Sequence, residues 1–337
     1  MSTKRCGRQT VLLTNPPVIR ASAAVVGQKE GAGPLSDRFD QIEPDAYFGA
    51  ASWEQGESAM LERAFSLSCK KALLEPEQLE YIFSGDLQNQ CAGAAYAMRQ
   101  TNVPYWGLYG ACSTMSEAIA LAAMMIDGGY ASRCAAVTGS HFCTAERQYR
   151  FPLGYGGVRT PTAQWTVTGA GSVILDANGA GPQVTAITTG TIVDKGVLDM
   201  TNMGAAMAPA AYDTLKAHFS DTGRTPDYYD LIVTGDLGHL GHAIVTELFQ
   251  QDGIALPNYD DCGRMLFDPK KQDVHAGGSG CGCSAVVLSG HLLRRMKEGN
   301  LRRLLFAPTG ALMSPTTAMQ KESIPGICHA VSIEVLS

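Results

Sequence analysis

The feature that most constrains this chain is that it repeats itself. Tyr-Ile-Phe-Ser-Gly-Asp-Leu at 81–87 matches Leu-Ile-Val-Thr-Gly-Asp-Leu at 231–237, an offset of 150 positions. Each copy reads as a short buried strand that ends in a glycine turn. Upstream, the helical patterns at 59–74 and 207–219 are followed by Pro76 and Pro226 at the same offset, so the repeat covers a helix, a break and a strand. Further along, Cys112-Ser113 matches Cys283-Ser284 and Thr138-Gly139 matches Thr309-Gly310, now at an offset of 171. The second copy has gained 21 residues, the difference between the two offsets. The polar stretch 252–275, which has Pro, Asn, Asp and Gly but no sustained periodicity, is where they are expected, as a surface loop. The repeat divides the chain into halves at 1–177 and 178–337.

Between the matched points, residues 116–127 are apolar on nearly every face, the pattern of a helix buried all round. Apolar runs at 134–137 and 172–175 are edged by Gly or Asp, as core strands are. Strands alternating with helices imply a mixed sheet covered on both faces, once per half. The expected class is α/β, with two mixed sheets packed against shared, buried central helices.

With 337 residues, 45% hydrophobic and 17% charged, the chain can bury one large core or two fused ones. A formal charge of -6 leaves no electrostatic footprint for nucleic acid, so a small molecule or a protein is the expected partner. No stretch approaches the roughly 18 to 20 apolar residues that span a bilayer, and the N-terminus lacks the apolar core of a secretion signal. A cytoplasmic location is therefore expected. Ten cysteines without framework spacing fit a reducing compartment and read mostly as small buried hydrophobes.

One of them stands apart. Residues 103–114 read as strand, tight turn and helix, with Cys112 just ahead of the helix. Thr114 and Glu117 have the spacing of a capping box, which places the helix start at Thr114. A thiol so placed feels the positive end of the helix dipole and free backbone N–H groups, an arrangement expected to lower its pKa and to favour anions. The turn serves whether Cys112 attacks a substrate or helps to bind a ligand; a buried structural cysteine is the plainer alternative.

The duplicated halves, the turn Gly110-Ala111-Cys112-Ser113-Thr114 and the run at 167–175 resemble the thiolase and ketoacyl synthase superfamily over nearly the whole chain. More narrowly, the runs at 140–152 and 155–165 resemble a family of stage V sporulation proteins of spore-forming bacteria. The superfamily resemblance implies an αβαβα layered fold. It also implies a nucleophilic cysteine at Cys112 that, in condensing relatives, works with a His and with an Asn or second His from the second half. This chain carries Gly235-Asp236-Leu237-Gly238 where that His is expected, and the glycine-rich run 277–284 contains neither Asn nor His. The catalytic set reads as dismantled, with Cys112 as a vestigial nucleophile.

Other residues carry weaker signals. His239 and His242 share a helical face and could join Asp236 around a metal, but they read better as ordinary polar residues at a helix start, and Cys281 and Cys283 are too close for the common zinc pattern. The run around Gly280 lacks the Lys-Ser/Thr of a phosphate loop and fits close backbone approach between halves. Lys195 lies where relatives' second halves turn toward the substrate cleft. Arg147, Arg150 and Arg159 occur among Tyr, Phe, Pro and Gly, the composition of a structured loop. They suit a flat anionic ligand, or equally a contact that fixes the loop.

The sporulation resemblance implies a non-catalytic protein that binds pyridine-2,6-dicarboxylate (dipicolinate), with or without calcium, and works with membrane channel proteins of the spore in its uptake and release. Ligand contacts are expected from Cys112, Lys195, Arg159, His141, Asp236, His239, Asn202 and Ser284, with no cofactor and no metal centre. The expected setting is the cytoplasmic side of the spore inner membrane, peripherally attached, as a homodimer or a subunit of a membrane-associated complex. Two rivals remain. One is an active acyltransferase or condensing enzyme using Cys112 with His141, His239 or His242 as base; the other is an assembly subunit with a vestigial cleft.

Overall fold

The computed structural model describes residues 4–149 and 158–336. In chain order its main elements are β1 (Val18–Gly27), α1 (Trp53–Ala72), β2 (Tyr81–Gly85), β3 (Tyr105–Gly107), α2 (Thr114–Asp127), β4 (Arg133–Ser140), α3 (Phe142–Tyr149) and β5 (Gly169–Asp176). The second half supplies β6 (Gln183–Thr188), α4 (Met203–Thr222), β7 (Leu231–Thr234), α5 (Gly238–Gln251), β8 (Tyr259–Asp261), α6 (Cys281–Val286), α7 (Leu293–Lys297), β9 (Arg303–Ala307) and β10 (Ala330–Glu334).

The strand order is β3-β2-β4-β5-β1 in the first half and β8-β7-β9-β10-β6 in the second. Strand sense repeats with it. β2 is parallel to β3 and β4, then β5 and β1 run antiparallel. β7 is parallel to β8 and β9, then β10 and β6 run antiparallel. The two sets are not separate: β1 and β6 meet antiparallel at Val18 and Gln183, which joins them into one continuous mixed sheet.

Side-chain burial resolves the layers. One apolar cluster contains Phe83, Ala136 and Val173 from the first set, Val233, Phe306 and Val331 from the second, and Ile119 and Val286 from α2 and α6. These helices therefore form a middle layer that serves both sets of strands. A second cluster packs α1 against the outer face of the first set, and a third packs α4 and α5 against the second, which completes αβαβα.

Local chemistry explains the elements. Ser52 caps α1 by accepting from Gln55 N–H, and Leu73 ends it in the left-handed region. β5 is buried along all eight residues, as a strand covered on both faces must be.

Three local expectations need correction. The stretch 252–275 is not simply a surface loop, because Cys262, Leu266, Phe267 and Val274 bury against the shared core. Its apolar residues are too widely spaced to show a period, yet they still leave water. Arg147 lies on helix α3 rather than in a loop, while Arg150 and most of the adjoining aromatic and glycine-rich run fall outside the described residues. The Thr114–Glu117 capping box does not form. Thr114 is already helical, its Oγ1 donates to Ala111 O and accepts from Gly110 N–H, and Glu117 Oε2 has no hydrogen-bond partner among the described residues.

The sharing of one helical layer requires backbones to approach closely. A Cβ on Gly171 of β5 would stand 2.3 Å from Ala285 O of α6. Gly171→Ala should therefore cost about 1–3 kcal/mol in denaturant unfolding, whereas Leu121→Ala on the exposed edge of α2 should stay within about 0.5 kcal/mol of wild type. A Gly171→Ala protein as stable as wild type would show that the two layers are not in contact there.

Candidate functional site

The middle layer brings the mouths of α2 and α6 together. Cys112 sits in the single turn Ala111–Ser113 ahead of α2. Ala111 adopts φ +50°, an unfavourable region for a residue with a side chain. The turn lies against Gly310, where a Cβ would reach within 2.3 Å of Gly110 O.

Opposite the thiol stands Asp236, from the turn that follows β7. Its carboxylate accepts from Gly280 N–H at 3.0 Å and from Thr309 Oγ1 at 3.1 Å, and it lies close enough to the Cys112 thiol for the two to interact electrostatically. Asp261, at the end of the neighbouring strand β8, holds that turn: it accepts from Leu237 N–H, Gly238 N–H and Gly263 N–H, and from Thr234 Oγ1. Gln164 Nε2 ties the turn to the glycine-rich run by donating to Asp236 O and Gly278 O.

A cleft of about 520 Å³, open at its mouth, lies over Cys112. Tyr109, Tyr149, Met203, Met207 and Met313 make its walls largely apolar, and Cys112, Glu146, Thr166 and Ser279 are its polar members. Tyr149 Oη donates to Leu87 O, so the 2.6 Å contact between the two phenols is a donation from Tyr109. Among the described residues that line the cleft there is no Lys, Arg or His.

The electrostatics reverse the expectation for Cys112. Burial, the Asp236 carboxylate and the Cys281 thiol beside it push its pKa well above the ordinary thiol range, and the Gly280 N–H offsets this only in part. A helix dipole contributes about 0.3–1 kcal/mol, less than a carboxylate in contact. Asp236 is itself raised to about 7, first by burial and then by the charge of Asp261. Asp261 is raised to about 6 by burial.

Of the eight expected ligand contacts, Cys112 lines the cleft and Asp236 stands directly behind it. Asn202 caps α4 by accepting from Ala205 N–H, next to the lining residue Met203. The other five lie elsewhere. His141 is buried with Nε2–H donating to Ala46 O and Nδ1 accepting from Cys143 N–H. His239 is on α5 with its backbone N–H donating to Ala276 O, and His242 stacks on Tyr259. Ser284 is buried within α6 and donates to Cys281 O. Lys195 is exposed on the loop before α4. Arg159 pairs with Asp273 at 2.9 Å and lies over the ring of Trp165. The residues missed from sequence, above all Tyr109, Glu146 and Tyr149 of α3, Met203 and Met207 of α4, Met313 and Asp261, come from widely separated parts of the chain. For Asp261 alone a signal was available: an Asp ending one strand and opening a short helix.

The family profile of stage V sporulation protein AD matches residues 7–334. The chain belongs to the stage V sporulation protein AD family. It is 42% identical to stage V sporulation protein AD of Bacillus subtilis (strain 168) over 332 residues, which cover 98% of each chain. Among solved structures it resembles 3-oxoacyl-[acyl-carrier-protein] synthase III from Aquifex aeolicus (TM-score 0.59, 12% identity, 94% of this chain and 99% of that one). It also resembles OleA from Xanthomonas campestris (TM-score 0.60, 12% identity, 96% and 99%). The fold is that of the thiolase-like condensing enzymes, while the relative of high identity is named for sporulation.

With its thiol held protonated, Cys112 should react slowly with iodoacetamide at neutral pH. Removing the carboxylate, as in Asp236→Asn, should speed alkylation at Cys112 by about tenfold or more, since a like charge in contact shifts a pKa by one unit or more. Peptide mass mapping resolves Cys112 from the other thiols, and thermal unfolding confirms that the variant is folded. An unchanged rate would mean that Asp236 does not control the thiol.

Proposed function

We propose that this protein is a non-catalytic carrier that holds dipicolinate, as its calcium chelate, in the cleft over Cys112 and serves the uptake and release of that compound in spores. The observation that carries this reading is the Cys112–Asp236 contact. A condensing enzyme needs a thiolate, activated by a positioned base worth about a hundredfold or more in rate. Here a carboxylate stands against the thiol, and no imidazole lines the cleft among the described residues.

The same electrostatics favour the chelate over the free ligand. A flat pyridine ring suits walls of Tyr and Met. A bare dianion does not suit a cleft whose lining residues, among those described, include the carboxyl of Glu146 and no cation, because burying an unpaired anion is very costly. Calcium brought in with the ligand cancels the charge without help from Lys195 or Arg159.

The assembly expected from the family resemblance also has physical support. β3 pairs with β2 on one side and leaves its other edge free among the described residues, with Tyr105 and Trp106 exposed. A second copy that pairs antiparallel there would cover an apolar sheet edge. Peripheral attachment to the spore inner membrane, beside channel proteins, is part of the same reading. No helix among the described residues is long and apolar enough to cross a membrane. The exposed edge predicts that Trp106→Arg shifts the protein from dimer toward monomer in analytical ultracentrifugation; a variant that sediments as wild type would place any self-association elsewhere.

Calorimetric titration tests the ligand. The premixed calcium chelate should bind at least about tenfold more tightly than dipicolinate alone, the difference reflecting the uncompensated anion. Because Asp236 ionises near 7, any binding of the free dianion should weaken as pH rises through that value, while the neutral chelate changes little. No response to either form at millimolar concentration would leave the assembly role, and an acyl adduct accumulating on Cys112 from acyl-coenzyme A would restore the condensing enzyme.

A further inference from the structure

The chain as a whole is acidic, yet Arg294, Arg295, Lys297, Arg302 and Arg303 fall within ten residues that contain one acid, Glu298. The fold adds Arg38 and Lys71 to this run. Arg294 reaches Asp37 O, Arg38 reaches Glu298, and Lys71 and Lys297 line one surface cleft together with Arg38 and Arg294. Carboxylates neutralise only part of the set. Lys71 pairs with Asp40, and Arg38 and Arg294 share Glu298. Arg295, Lys297 and Arg302 have no carboxylate partner among the described residues, and the Lys297 ammonium is further disfavoured by burial and by Lys71 beside it.

Two apolar side chains project beside these cations. Leu73, the left-handed residue two positions after Lys71, is 86% exposed, and Leu336, which lines a cleft with Arg302, Arg303, Asp230 and Glu334, is 53% exposed. Cations interleaved with protruding leucines fit a lipid headgroup layer better than a nucleic-acid backbone.

Its position follows from two helices. α1 starts against α3, whose Ala145, Glu146 and Tyr149 line the candidate cleft and whose Arg147 meets Glu54, and its 20 residues end at Ala72, next to Lys71. That length is about 30 Å. The helical run from Cys281 beside Cys112 to Lys297 makes the same traverse. The basic pole is thus remote from the cleft.

We propose that the pole formed by Arg294, Arg295, Lys297, Arg302 and Lys71, with Leu73 and Leu336, docks on an anionic lipid surface and turns the mouth of the cleft away from that membrane. The proposal rests on the peripheral attachment put forward above, but not on the identity of the ligand in the cleft.

The test is co-sedimentation of the full chain with phosphatidylglycerol-containing vesicles and with pure phosphatidylcholine vesicles. Binding should require the anionic lipid and fall steeply with added salt. Reversing Arg295, Lys297 and Arg302 to Glu should lower partitioning by at least about tenfold, given the attraction of each cation to an anionic leaflet. The same charge change placed at Arg99, Lys270 and Lys321 should lower it much less. Binding of the calcium chelate, measured on the same variants, reports folding and an intact cleft, or thermal unfolding does so should the chelate not bind. The proposal is overturned by equal binding to both vesicle types, by binding that survives the triple reversal, by equal losses in the two triple variants, or by tighter binding to duplex DNA than to anionic vesicles.

Discussion

One layer of helices has to serve two sets of strands, and most of what is distinctive here follows from that. Because α2 and α6 are covered on both sides, their side chains must be small and apolar and their flanking backbones close. Gly171 meets Ala285 O, and a Cβ on Gly282 would stand 2.4 Å from Gly169 O. The mouths of the two helices then open at the same place, and the turn after β7 is carried to it from the second half. Cys112, Asp236 and Gly280 meet because the layers leave them nowhere else to go.

That meeting sets the chemistry. Backbone N–H groups at a helix mouth favour negative charge, but in this protein the position is already taken by the carboxylate of Asp236, which is anchored by Asp261 and satisfied by Gly280 and Thr309. The local field therefore holds the thiol protonated instead of releasing its proton. Further carboxyls lie nearby. Burial raises Glu57 and Asp86, behind the lining residue Leu87, above the ordinary carboxylate range. A cleft in such surroundings favours neutral or cation-carrying ligands.

Much of the fold was legible because it depends on patterns local in sequence. The repeated Gly-Asp turns at 85–86 and 235–236 and the all-apolar stretch at 116–127 are signals of a few residues each, and they correspond to β2, β7 and α2. The cleft was less legible. Cys112 could be picked out because a turn and a helix start flank it, and Asp236 because it stands where relatives carry a histidine. Tyr109, Tyr149, Met313 and the α4 pair Met203 and Met207 come from four different places in the chain, and nothing local to any of them distinguishes a wall of a cleft from a core position.

By itself, then, the sequence determined the class of the fold, its duplication and the helix mouth that holds Cys112, because periodicity, turn residues and apolar runs act over distances of a few residues. The charge state at that mouth was decided by tertiary structure alone. Whether a helix dipole or a carboxylate governs the thiol depends on which side chain 124 positions away is packed against it, and how strongly depends on how completely water is excluded. The same holds for Arg159, which reads as a ligand contact in sequence and is committed to Asp273 and Trp165 in the folded chain. Electrostatic energies in a protein are set by distance and burial, and neither can be read along the chain.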